Sequence, residues 1–120
     1  MAPFERFRAW QEAHRVVLSV YRATESWPSR EKYGLTSQAR RAAFSVAANI
    51  AEGAARNGHR EFRRFLDVSL GSTSELCYVL RLARDLGLLS QGEWEALEQQ
   101  RDLSGKLLWR LHQSLRNFAD

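Results

Sequence analysis

The stretch HREFRRFLDVSLGSTSELCYVLRLARDL, residues 59–86, carries the strongest fold signal in the chain. Apolar and small residues recur in it at spacings of three and four, as they do along one face of an α-helix. That face consists of Phe62, Phe65, Leu66, Ser69, Thr73, Leu76, Cys77, Leu80 and Ala83. Asn57-Gly58 precedes the stretch and Gly87 follows it, so the sequence predicts one long helix over residues 59–86.

Three further stretches share this periodicity and predict helices over about residues 7–25, 37–55 and 91–117. The first ends at Trp27-Pro28, because the residue before a proline resists the α conformation. The last begins at Ser90-Gln-Gly-Glu93, which has the spacing of a capping box. No segment alternates with period two, so we expect no sheet. Short connections favour an all-α fold, an antiparallel up-and-down four-helix bundle formed by residues 1–120 as a single domain.

Composition restricts the class of protein. Of the 120 residues, 44% are hydrophobic and 27% are charged, as in ordinary globular domains. The single cysteine, Cys77, allows no intrachain disulfide, which suits a reducing compartment. We expect no signal peptide, since the N-terminus lacks an apolar core, and no transmembrane helix, since no run approaches about 18 apolar residues. A cytoplasmic protein with no membrane partner is therefore predicted.

Positive charge is concentrated in the middle of the chain. The net charge is +4, and residues 36–64 contain six arginines against two glutamates. Arginine forms planar, paired contacts with phosphate oxygens, so this cluster predicts binding to a nucleic-acid backbone. No aromatic residues interleave it as base-stacking platforms would. A solvated charged surface is the alternative. The candidate nucleic-acid-binding residues are Arg40, Arg41, Arg56, Arg60, Arg63 and Arg64.

Several apolar side chains fall outside the main helix faces. One bundle cannot bury every side of its helices, so these residues are either scattered surface apolars or a contact between subunits. On the third predicted helix these residues form a long apolar stripe, which favours self-association. The predicted oligomer interface comprises Phe44, Val68, Val79, Leu82, Leu86 and Trp109.

Catalytic and metal-binding patterns are missing from the sequence. No glutamate is followed three residues later by a histidine, as di-iron bundles require. There is also no Gly-x-Ser-x-Gly and no phosphate-cradling glycine loop. We therefore expect no enzyme activity, no cofactor and no metal. Asn49, Glu52 and Glu75 stand on packing helices and are interpreted as a structural polar network, with ligand contact as the alternative.

A family resemblance rests on motifs that occur in order along the chain. These are Trp27-Pro28, then SVAANIAEG at residues 45–53, then EFRRFL at residues 61–66 and GSTSEL at residues 71–76. Together they resemble the four-helix bundle family encoded in intervening sequences of bacterial 23S ribosomal RNA genes. That family is similar to the accessory variability determinant of diversity-generating retroelements. Gly58 stands where a serine commonly caps the third helix, which predicts a weaker cap there.

The resemblance implies a four-helix protomer in a homopentamer. For the retroelement relatives it implies nucleic-acid binding through a basic surface and a reverse-transcriptase partner, and it implies no catalytic residues. Three hypotheses follow, of which the last is an enzyme with an unrecognised site. The first is a non-enzymatic oligomeric bundle that binds RNA or DNA backbone through its arginines. The alternative is a protein-interaction scaffold or accessory subunit, for example of a reverse transcriptase, with no direct nucleic-acid role.

Overall fold

A computed structural model describes residues 1–118 of the chain. Those residues form four long α-helices and no strand, so the predicted all-α bundle is confirmed. Short 3-10 helices span Pro3–Arg6 before the first helix and Ser29–Glu31 after it. The described part measures 47 × 23 × 23 Å. The long helices are α1 (Arg8–Thr24), α2 (Leu35–Ala54), α3 (His59–Asp85) and α4 (Gln91–Leu115).

The four helices form a closed antiparallel square. Each helix packs against the next one in the chain, and α4 packs back against α1. At each end of the bundle, a side-chain hydrogen bond joins two helices that are consecutive in the chain, as an up-and-down bundle requires. Arg40 of α2 bonds to Thr24 of α1 at one end. Arg63 of α3 bonds to the carbonyl of Leu115 of α4 at the other end.

The start of α2 lies two residues before its predicted position, at Leu35. The cause is the preceding 3-10 turn. The Glu31 side chain accepts a hydrogen bond from the backbone N–H of Leu35 at 3.1 Å. This carboxylate supplies a partner for an N–H that has none within the helix, so the first turn forms earlier than periodicity predicts.

Helices α2 and α3 pack closely because α2 is rich in small residues. A Cβ added at Gly53 would lie 2.8 Å from the Cβ of Phe65 and 2.9 Å from Cδ1 of Phe62. Further along the pair, the buried Ser69 hydroxyl donates to the Val46 carbonyl at 2.9 Å. The arginine-bearing start of α3 is thereby fixed against the end of α2.

The core has a small polar layer at its middle. A gap of about 10 Å³ lies there, with the hydroxyls of Thr73 and Ser104 buried beside it without a partner among the described residues. This layer divides the bundle into two halves. The elbow half, which contains the α2–α3 connection, comprises residues 1–15, 45–71 and 103–118. The distal half comprises residues 16–44 and 72–102.

The placement of Val79 in the oligomer interface is wrong. This side chain is only 4% exposed and packs in the protomer core near Leu76 and Leu80. Because α3 is contacted by both α2 and α4, its buried arc is wider than the single face that periodicity indicates.

Candidate nucleic-acid interface

The fold concentrates the net charge of the chain in one half of the bundle. The elbow half contains ten lysines and arginines against five aspartates and glutamates, which gives +5 over its described residues. The distal half contains eight of each and is neutral. Three separate parts of the sequence form this positive half. Only one of them, residues 45–71, includes arginines of the cluster that is visible in residues 36–64. A field of one sign over one end of a molecule attracts polyanions.

Three arginines converge at the start of α3. Arg60, Arg63 and Arg64 lie three and four residues apart, so they occupy neighbouring positions on the helix surface. Together with Asn57 they line a surface concavity of about 550 Å³. Glu61 and Asp67 lie in the same concavity and offset part of the charge. The result is a shallow, mainly basic depression beside the α2–α3 elbow.

Arg60 is the least constrained of these arginines. It is exposed, and it forms no hydrogen bond or salt bridge with any residue between 1 and 118. Arg64 instead bonds the carboxylate of Glu61 at 3.0 Å. The hydrogen bond from Arg64 lowers the pKa of Glu61, so this carboxylate is charged at neutral pH. Exposed pairs of this kind contribute little stability, so a phosphate can take the place of the carboxylate.

Phe65 orders the arginines on either side of it. The guanidinium of Arg64 lies 4.6 Å from the ring centroid, and that of Arg56 lies 5.1 Å away. Arg56 also pairs with Glu52 at 3.1 Å. The sequence reading found no aromatic residue within the cluster, whereas the fold places this ring between two of its members. Because Phe65 is buried, it orients cations and is not available to stack on a base.

Arg63 has a structural contact that sequence reasoning missed. Its Nη1 donates to the backbone carbonyl of Leu115 at 2.6 Å. The last carbonyls of a helix have no partner inside it. A cation beside them also interacts favourably with the negative end of the helix dipole. Arg63 therefore closes the C-terminus of α4 while it lines the basic concavity. The 52 residues that separate the two partners give no local sequence signal for this bond.

Arg40 and Arg41 lie away from the arginines at the α2–α3 elbow. They lie in the distal half, and the part of α2 from Arg41 to Ala54, two residues before Arg56, spans about 20 Å. Arg40 donates to the Thr24 hydroxyl at 2.8 Å and lies 4.5 Å above the Tyr21 ring. Arg41 is exposed and makes no hydrogen bond or salt bridge within residues 1–118. The six predicted arginines therefore form two separate groups.

The remaining predicted interface residues lie on two different sides of the bundle. Phe44 of α2 is 61% exposed, and Val68 and Leu86 of α3 are also exposed, while Leu82 is half-buried. Phe44 lines the groove between α2 and α3, and the other three residues lie on α3. Trp109 is 54% exposed but lines the groove between α3 and α4.

The polar network between α2 and α3 has a different membership from the predicted one. Asn49 donates to both the carbonyl and the hydroxyl of Ser45, and Ser72 of α3 donates to the same hydroxyl at 2.7 Å. Glu52 pairs with Arg56 instead. Glu75 lines the same groove but forms no hydrogen bond or ion pair with any residue between 1 and 118. Ser45 and Ser72 are thus the network members that periodicity alone did not indicate.

Potential metal ligands do not converge in the described part of the chain. No group of three histidine, cysteine, aspartate or glutamate side chains within residues 1–118 is placed to hold an ion. Cys77 is half-buried, with its Sγ 3.9 Å from the Glu98 carboxylate. Over the same residues, no helix is long and apolar enough to cross a membrane.

These features define a class of small antiparallel four-helix bundles with one arginine-rich end. The family model of the 23S rRNA-intervening sequence protein matches residues 5–110, and the chain belongs to that family. The chain is also similar to the crystal structure of a protein of unknown function from the S23 ribosomal protein family of Bacteroides thetaiotaomicron. The TM-score is 0.77 at 18% identity, over 87% of this chain and 97% of that one. This likeness supports the fold alone. A search of curated proteins finds no significant match.

Proposed function

We propose that this protein is a non-enzymatic, self-associating bundle that binds the backbone of nucleic acid through its elbow half. The observation that carries the proposal is the charge separation, +5 over the elbow half against zero over the distal half. Phosphate contacts supply most of the sequence-independent affinity of proteins for nucleic acids. The family description refers to 23S rRNA, which makes RNA the first nucleic acid to test.

The arginines are suited to this role in different ways. Arg60 needs to break no bond to reach a phosphate. Arg56 and Arg64 are oriented by the Phe65 ring. Their carboxylate partners are exposed, so phosphate oxygens can readily replace these carboxylates. Contacts to phosphates carry no direct sequence information, so we expect little sequence preference. We assign Arg40 and Arg41 no part in this surface, because they lie in the neutral half.

Self-association is proposed through the α2–α3 side of the bundle. Phe44 lines a groove of about 660 Å³ between α2 and α3, and Val68, Leu82 and Leu86 lie on α3. A second copy packed on this side would remove their apolar surface from water. Each added copy repeats the basic elbow and strengthens the field that a polyanion meets. The family resemblance suggests five subunits. A protein partner such as a reverse transcriptase is the alternative occupant of this side.

The test of nucleic-acid binding replaces the two least structural arginines of the elbow. Arg60→Gln with Arg64→Gln removes two cations and leaves the Arg63 bond to α4 in place. We expect weaker binding of a labelled single-stranded RNA, with the slope of log K against log salt reduced by about 1.4. Fluorescence anisotropy at several salt concentrations measures both quantities. The single change Glu61→Gln, which removes an offsetting charge, is expected to increase the affinity.

The matched control is Arg22→Gln with Arg30→Gln, since both arginines are exposed in the neutral distal half. This pair lowers the net charge by the same two units and is expected to have much less effect. Equal effects of the two double variants would show that total charge, and not the elbow, governs binding. Unchanged affinity and unchanged salt slope in the elbow variant would reject the proposal and favour a protein partner.

A further inference from the structure

Trp109 lies in a groove that the proposed backbone contacts leave unused. The groove runs between α3 and α4, has a volume of about 510 Å³ and is open to solvent. It is lined from both halves of the bundle, and Trp109 belongs to the elbow half, where the net charge is +5. The Trp109 side chain is 54% exposed, so about half of a large aromatic side chain is accessible to a ligand.

The indole ring has a neighbour that is itself anchored. The His112 imidazole lies parallel to it, with an angle of 4° between the planes and 6.1 Å between the centroids. His112 is fixed in turn by Asp67 of α3, since its Nε2 lies 2.8 Å from the Asp67 carboxylate. A ring ordered before binding loses less conformational freedom when a ligand stacks on it.

Positive charges flank the same ring. Arg110 follows Trp109 directly, is exposed, and makes no hydrogen bond or salt bridge within residues 1–118. Lys106 lies one helical turn before Arg110 and pairs with Asp102 at 2.9 Å, with both side chains largely exposed. Phosphate competes well for a lysine in such an exposed pair. An aromatic ring beside cations in an open groove is the arrangement that binds single-stranded nucleic acids.

Gly105 leaves the inner part of this groove uncovered. A helical side chain leans over the turn that precedes it, so Trp109 projects toward position 105. A Cβ at position 105 would meet the Thr73 methyl group at 3.3 Å. Glycine therefore lets α3 and α4 approach and adds no side chain beside the indole.

We propose that Trp109 stacks on an unpaired base of a single-stranded nucleic acid while Arg110 and Lys106 contact the adjacent phosphates. This inference rests on the proposed function and adds to it a preference for single strands. Bases inside a duplex are stacked on each other and offer no free face to the indole. Trp109 is thereby assigned to a ligand and not to the contact between subunits, since it lies on the α3–α4 side and Phe44 lies on α2.

The experiment compares Trp109→Leu with the unaltered protein on a labelled ten-nucleotide oligouridylate and on an RNA duplex of the same length. Leucine keeps apolar bulk but has no ring to stack, so we expect single-strand affinity to fall roughly tenfold. Duplex affinity is expected to stay within about twofold, because arginine contacts remain. Trp109→Phe, which retains a ring, is expected to recover most of the loss.

The matched control is Tyr78→Leu, because Tyr78 is an aromatic residue that is 67% exposed on α3 in the neutral half. It is expected to leave both affinities unchanged. Unchanged single-strand affinity in Trp109→Leu, alongside weaker binding by the Arg60 and Arg64 double variant, overturns this inference and leaves the proposed function intact. A reduced molecular mass of Trp109→Leu in sedimentation assigns the ring to a subunit contact and also overturns it. If the unaltered protein binds neither RNA, the proposed function fails first.

Discussion

Gly53 shows how one missing side chain positions the basic elbow. It lies at the end of α2 against the first turns of α3, and a Cβ there would overlap both Phe62 and Phe65. Phe65 also orients Arg56 and Arg64, so the packing at Gly53 and the direction of two cations are connected. The same glycine lowers the intrinsic helix propensity of α2, and the close helix contact offsets that cost.

At this scale we predict that Gly53→Ala destabilises the protein. Alanine is favoured over glycine by about 1 kcal/mol in a helix interior, but forcing extra volume into a packed contact costs about 1–3 kcal/mol. The free energy of unfolding from urea titration measures the net effect. Gly71→Ala is the control, because a Cβ at that exposed position in α3 meets nothing within 4 Å. Gly71→Ala is expected to stabilise the monomer fold. A Gly53→Ala variant as stable as Gly71→Ala would contradict the packing argument.

The helices differ in how their first turns are completed. Ser90 and Glu93 form the full capping box that their spacing predicts, with bonds of 3.1 and 2.8 Å. At α3 the N-cap residue Gly58 supplies no side-chain bond, as predicted. Its φ of 88° explains the glycine, because that backbone conformation is strained for a serine. The start of α2 uses Glu31 from the preceding turn.

For the element α4 we predict that Ser90→Ala lowers the free energy of unfolding by about 1 kcal/mol. The loss has a local cause, since alanine cannot accept the hydrogen bond from the Glu93 backbone N–H. Thermal unfolding followed by circular dichroism measures it. Ser74→Ala serves as the control, because Ser74 is exposed in the interior of α3, where alanine is a better helix former. A Ser90→Ala loss no larger than that of Ser74→Ala would show that the box contributes nothing.

The molecule is elongated, with its net positive charge at one end and with Phe44, Val68 and Leu86 exposed on α2 and α3. A ring or pair of copies joined through the α2–α3 side would keep the elbow ends accessible to a polyanion. Assembly and binding are compatible in this arrangement, because Phe44, Leu82 and Leu86 lie in the distal half, away from the elbow arginines. The Asn49–Ser45–Ser72 network fixes the relative positions of the two helices that form this side.

We predict that Phe44→Ser with Leu86→Ser reduces the mass of the assembly at micromolar concentration. Both side chains are exposed and apolar, and serine removes most of the surface that a second copy would bury. Light scattering or sedimentation velocity gives the mass. Leu18→Ser is the control, since Leu18 is an exposed leucine of α1 on a different helix from the proposed contact. A clean monomer for the unaltered protein would refute self-association outright.

The sequence by itself determined the number, type and approximate bounds of the helices, because helix periodicity, the Trp27-Pro28 break and the Ser90 cap are local signals. It also determined that the chain is rich in arginine and contains no familiar catalytic motif. Tertiary structure alone decided which arginines meet. It separated Arg40 and Arg41 from the elbow, bonded Arg63 to Leu115, buried Val79 and placed Trp109 in a groove next to the basic half. These outcomes depend on contacts between residues far apart in the chain, and single-helix periodicity carries no information about them.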